Sequence, residues 1–231
     1  MKMPPNDASY TQLIRNGRYL SRRLRRAKCV DLANECDEAT ASVREAGRAE
    51  EDCEDAVQDA MADRDAADDE LDLTAKECRH QLAGRGLRAA NEAPYTQVFP
   101  QGIEYYTEAT AAQEVERFSE LRARLTEHLP ANDGVRKAAL PKLERSLESY
   151  REAEAALTAA RTTQSVAATK RDAAMVVWRQ MYVRIYGTLI ARFGKLEAER
   201  YFPRASRGTA RKARSSGKQA PAAPKPVRDV A

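Results

Sequence analysis

Four cysteines, two histidines and a run of acids hold whatever chemistry this 231-residue chain could perform. Cys29, Cys36, Cys53 and Cys78 fall within one helical stretch, and residues along one rod cannot fold back to share a disulfide or a metal. Three of them, Cys36, Cys53 and Cys78, stand where packing wants a small apolar residue. His80 follows Cys78 by two positions, which points the two side chains to different faces of a helix. His128 sits near a helix C-terminus, where a partial positive charge suits the backbone dipole. The carboxylates between Asp52 and Glu77 fall mostly on outward positions and read as a solvated face. No glycine-rich phosphate loop, serine elbow or metal-ligand spacing occurs. These patterns point away from an enzyme, and no cofactor, metal or small-molecule substrate is expected.

Charge is a second source of chemistry. The net value is only +4, but it is unevenly spread. Residues 1–28 carry eight Lys/Arg against one Asp, and residues 204–231 repeat that ratio. Between Glu35 and Glu77, seventeen acids face four bases. Lys and Arg separated by Ala, Gly, Pro and Ser suit sequence-independent contact with polyphosphate. The candidate nucleic-acid contacts are Arg22, Arg23, Arg25 and Arg26 in the run RYLSRRLRRAK, with Arg204, Arg207, Arg211, Lys212, Arg214 and Lys218 in the tail. Another acidic partner would satisfy the same charges. Almost no apolar bulk lies in residues 204–231, so the tail is expected to be disordered.

The elements that must position these groups are long helices. Alternating steps of three and four from Cys36 to Cys78 trace a narrow stripe of Ala, Val, Cys and Leu through six heptads. That is the pattern of a coiled-coil strand, which needs a partner to bury its seam. A matching stripe runs from Leu143 through Leu147, Tyr150, Leu157 and Ala168 to Trp178, Ile185 and Leu189. With turns near Leu82 and Val135 the two helices form an antiparallel hairpin in which opposed residue numbers sum to roughly 218. This register sets Arg64 opposite Glu154 and Glu50 near Ala168 and Arg171. The fold class expected is all-α: a long antiparallel helical hairpin with a small tip subdomain and a disordered basic C-terminal tail.

The boundaries read as a flexible lead over 1–8, a first long helix over 9–83 and a tip over 84–134. A second long helix over 135–203 and the tail over 204–231 complete the chain. A stutter near Ala27–Leu32 interrupts the first stripe. In the tip, Pro100-Gln101-Gly102 suits a type II turn, and a helix resumes from Thr110 to Leu129. Pro141 argues for starting the second helix at Leu140. Tyr95, Phe99, Ile103 and Tyr105 make the tip a candidate interaction loop.

From Met175 to Phe193 apolar residues cover well over half of the helix surface, more than one neighbour can bury. Met175, Val176, Trp178, Val183, Tyr186 and Ile190 are therefore candidate contacts for a second copy, with a dimer favoured. With no secretory pattern at MKMPPNDASYTQL and no apolar span of eighteen residues, a cytoplasmic setting is expected. The leading functional reading is a non-enzymatic scaffold that self-associates through its apolar terminal end. The alternatives are a nucleic-acid-associated protein and a membrane-active helical protein with the tip as an inserting tongue.

Overall fold

The computed structural model describes residues 3–203, so the expected disordered tail lies outside the described residues. Two long helices dominate: α2 (Val30–Ala83) and α6 (Gly134–Phe193). They pack against each other as an antiparallel hairpin, and the described residues contain no strand. The remaining elements are α1 (Tyr10–Arg26), α3 (Tyr95–Val98), α4 (Glu104–Thr107), α5 (Ala111–His128) and α7 (Lys195–Ala198). The chain divides into two compact units, Ser42–Met175 and the residues on either side of it.

The terminal unit is a three-helix packing rather than a simple hairpin end. The stutter is a full helix break at Ala27–Cys29. Lys28 adopts φ 59°, the Cys29 amide donates to the Leu24 carbonyl at 3.0 Å, and the Lys28 amide donates to that of Arg25 at 3.1 Å. These bonds are the paired closure of a Schellman C-cap, with lysine in the place glycine usually takes. The reversal sends α1 back along α2: Arg25 reaches Asn34 and Asp37, while Gly17 lies against Thr40. The expected single helix over 9–83 is thus two helices. At its start, the Ser9 hydroxyl accepts the Gln12 amide at 3.3 Å.

Leu13, Leu20 and Leu24 of α1 meet Leu32, Ala33 and Cys36 of α2 and Trp178, Tyr182, Ile185 and Leu189 of α6 in this unit's core. Trp178 stacks on Tyr182 at 4.7 Å, and its indole N–H donates to the Thr40 hydroxyl at 3.1 Å. The helix ends at Phe193, not at 203: Gly194, at φ 79°, turns the chain so that Phe202 packs edge-on against Tyr182. The aromatic partners that reward this turn lie a full segment away in sequence, out of reach of periodicity.

The second unit holds the middle of the hairpin and the tip. Its core joins Leu71, Cys78 and Leu82 of α2, Phe118, Leu121 and Leu125 of α5, and Leu143, Leu147 and Tyr150 of α6. Helix α5 follows the expected span closely, because its apolar residues recur every three or four positions. Phe99 through Gly102 turn with the Gly102 amide donating to the Phe99 carbonyl at 3.2 Å. Glycine stands at the last position of this turn, which suits type I rather than the expected type II.

Helix α6 starts at Gly134, one residue from the expected boundary at 135 and ahead of the start at Leu140 that Pro141 suggested. The Asp133 carboxylate caps it by accepting the Val135 and Arg136 amides, and Arg85 holds that carboxylate at 2.6 and 2.8 Å. Pro141 sits exposed within the helix, which tolerates one missing bond among sixty residues. Burial thins away from the tip, where Val57, Leu157 and Ala167 are buried outside the tip core.

The hairpin register matches the charges. In the tip-bearing unit, Glu50 pairs with Arg171, Glu77 with Lys142 at 2.7 Å, and Arg85 with Asp133. In the terminal unit, Glu35 pairs with Arg184. All these pairs sum to roughly 218–221, the alignment implied by turning near Leu82 and Val135. Arg64 is the exception in detail. Its guanidinium bonds Asp65 at 2.5 Å, while Glu154 lies within electrostatic reach and keeps one enclosed oxygen without a hydrogen-bond partner.

Candidate functional site

The groups first considered for chemistry do not converge. Among the described residues, no group of three or more His, Cys, Asp or Glu is placed to hold a metal ion. The four cysteines are free thiols. Cys36 donates to the Gly17 carbonyl at 3.4 Å, and burial pushes its thiol up to about 12. Cys78 is likewise buried and pushed up to about 12. Cys53 is half-buried, because the seam beside it is lined by alanines that leave a groove. His80 is exposed, and His128 lies 3.9 Å from Glu127.

The tip encloses two of the four candidate loop residues and leaves Tyr95 and Tyr105 half-buried. Phe99 and Ile103 are buried in the core of the tip-bearing unit. Tyr95 accepts a bond from Arg79 at 3.1 Å, and Tyr105 donates to Glu120 at 3.2 Å. The interaction-loop assignment is therefore corrected for Phe99 and Ile103, which the core encloses. No described helix is long and apolar enough to cross a membrane.

Helix α6 carries two opposed apolar faces in the terminal unit. Trp178, Met181, Tyr182, Ile185 and Leu189 point inward and are buried. Val176, Val183 and Ile190 point the other way and are 54%, 50% and 36% exposed. At 100° per residue the two sets lie on opposite sides of the helix. Gln180 and Gly187 complete the outer stripe at alternating steps of four and three, the spacing of a coiled-coil seam. A Cβ built on Gly187 would meet nothing within 4 Å. Trp178 must be removed from the candidate interface, since α1 and α2 enclose it. Tyr186 is half-buried, with its ring against Phe202 and its hydroxyl on Glu199. Met175 is half-buried at the edge of the other unit.

The arginines of α1 divide by partner. Arg25 pairs with Asp37 at 2.7 Å, and Arg23 donates to the Arg200 carbonyl at 3.0 Å. Arg22 and Arg26 are exposed and have no carboxylate partner among the described residues. The tail candidates from Arg204 to Lys218 lie outside those residues.

One site was missed by the periodicity argument. Glu114, in the first turn of α5, is 3% exposed and hydrogen-bonds Asp68 of α2. Burial first, and then the Asp68 charge, pushes its carboxyl up to about 8, so it carries a proton at neutral pH. Burial also lifts Asp68. The signal was legible: Glu114 occupies the same stripe as Phe118, Leu121 and Leu125, where an acid faces inward.

No family model, curated protein or solved structure matches this chain.

Proposed function

We propose that this chain is a non-enzymatic structural protein that self-associates as a dimer through the outer face of α6. The observation that carries the reading is the exposed seam of Val176, Val183 and Ile190 around the open Gly187. A glycine inside a helix costs about 1 kcal/mol relative to alanine, and among the described residues nothing would meet a Cβ at this one. Close approach of a second backbone supplies a reason to keep it. Along the stripe, β-branched Val176, Val183 and Ile190 are separated by one polar residue, Gln180, and one small one, Gly187, at coiled-coil spacing.

Sedimentation velocity over a wide concentration range tests this. The expected result is a dimer that Val183→Lys converts to monomer with helicity unchanged. Gly187→Ala discriminates further. In a dimer it weakens association, whereas on a solvated face it only raises the melting temperature. A chain that stays monomeric at all concentrations refutes the reading.

A further inference from the structure

We infer that the outward face of α1 is a binding surface for the phosphate backbone of nucleic acid, formed by Arg15, Arg18, Arg22 and Arg26. This goes beyond self-association and uses a different helix. All four side chains are exposed and lack a carboxylate partner among the described residues. At 100° per residue they fall within an arc of about 80°, spread over roughly 16 Å of helix. The opposite side carries Leu13, Leu20 and Leu24, all fully buried. The helix contains no acid, so nothing on it offsets the four positive charges.

Sequence position alone does not separate the exposed arginines, Arg22 and Arg26, from the engaged ones. Arg23 and Arg25 lie in the densest basic run, yet each is held within the unit, by the Arg200 carbonyl and by Asp37. Arg15 lies outside that run and Arg18 opens it, and both side chains are exposed.

Two features favour nucleic acid over an anionic membrane. A membrane-surface helix needs an apolar face free to enter lipid, and that of α1 is consumed by the core. Guanidinium groups fixed along a rigid helix suit phosphate oxygens, which accept paired N–H donors. The contact is to backbone and is not base-specific.

The test is fluorescence anisotropy of a labelled random-sequence DNA duplex with the full chain, from about 50 to 200 mM salt, where counterion release is read. Replacing Arg15, Arg18, Arg22 and Arg26 by Gln should lower affinity at least tenfold and reduce the log–log salt slope by about 3–4. Circular dichroism should be unchanged. Arg22→Gln alone, the variant least able to disturb folding, should reduce the slope by about one. Wild-type affinity and slope in both variants would overturn the assignment to α1. Failure of the wild type to bind at about 50 mM salt would overturn it as well. Tighter binding to phosphatidylserine vesicles than to the duplex at equal salt would assign the face to lipid instead.

Discussion

Glu114 of α5 lies within hydrogen-bonding reach of Asp68 of α2, and burial together with the Asp68 charge pushes its carboxyl up to about 8. Arg64, Asp69 and Asp72 of α2, Arg117 of α5, and Tyr150 and Glu154 of α6 are the charged and titratable groups around the pair. The folded-state value for Glu114, about 8, lies above that of an exposed glutamate. Its contribution is therefore fully present below about pH 4.3 and is lost as pH rises through 8. Between those values the folded chain holds a proton that the unfolded chain releases, so stability falls with rising pH. Urea denaturation from pH 6 to 9 should show this fall. Glu114→Gln should flatten it and be the more stable protein at pH 9. Parallel curves for the two proteins would remove Glu114 as the cause.

Gly17 should be intolerant of any side chain. A Cβ there would lie 2.1 Å from the Thr40 hydroxyl and 3.1 Å from the Trp178 indole nitrogen. That hydroxyl is held by the indole N–H, so it cannot swing away freely. Gly17→Ala should destabilise the protein by about 1–3 kcal/mol, although alanine is the better helix former. The Thr40→Ala background should return part of the loss, as a double-mutant cycle in chemical denaturation would show. An alanine variant more stable than the wild type would contradict the close approach.

The thiols should separate by burial. Cys36 and Cys78, both enclosed and pushed up to about 12, should react with a thiol reagent only after unfolding. Cys29 is also buried and should follow them. Cys53, half-buried beside an alanine-lined groove, should react in the native protein. Mass spectrometry after timed labelling reads each site. Rapid native labelling of Cys36 or Cys78 would refute the packing described.

Much of the hairpin could be read before any coordinates. The stripe from Cys36 to Cys78 and its counterpart from Leu143 to Leu189 depend only on local period, and the turn positions then aligned Glu50 with Arg171. Such features are legible because a helix converts spacing directly into a face, and because a buried charge needs its partner in register. The reversal of α1 was not legible. It depends on Lys28 accepting a left-handed conformation, disfavoured for a lysine by roughly 1–2 kcal/mol, in return for packing Gly17 against Thr40. Phe99 and Trp178 looked available to partners until α5 and α1 covered them. Glu114 shares the stripe of Phe118, Leu121 and Leu125, but its neighbours Asp68 and Tyr150 come only with the packing of α5. Periodicity names the faces that must be buried, but which neighbour buries each one is settled by competition among contacts distant in sequence. That competition is why the inward face of α6 is core and its outward face, Val176 to Ile190, is left open.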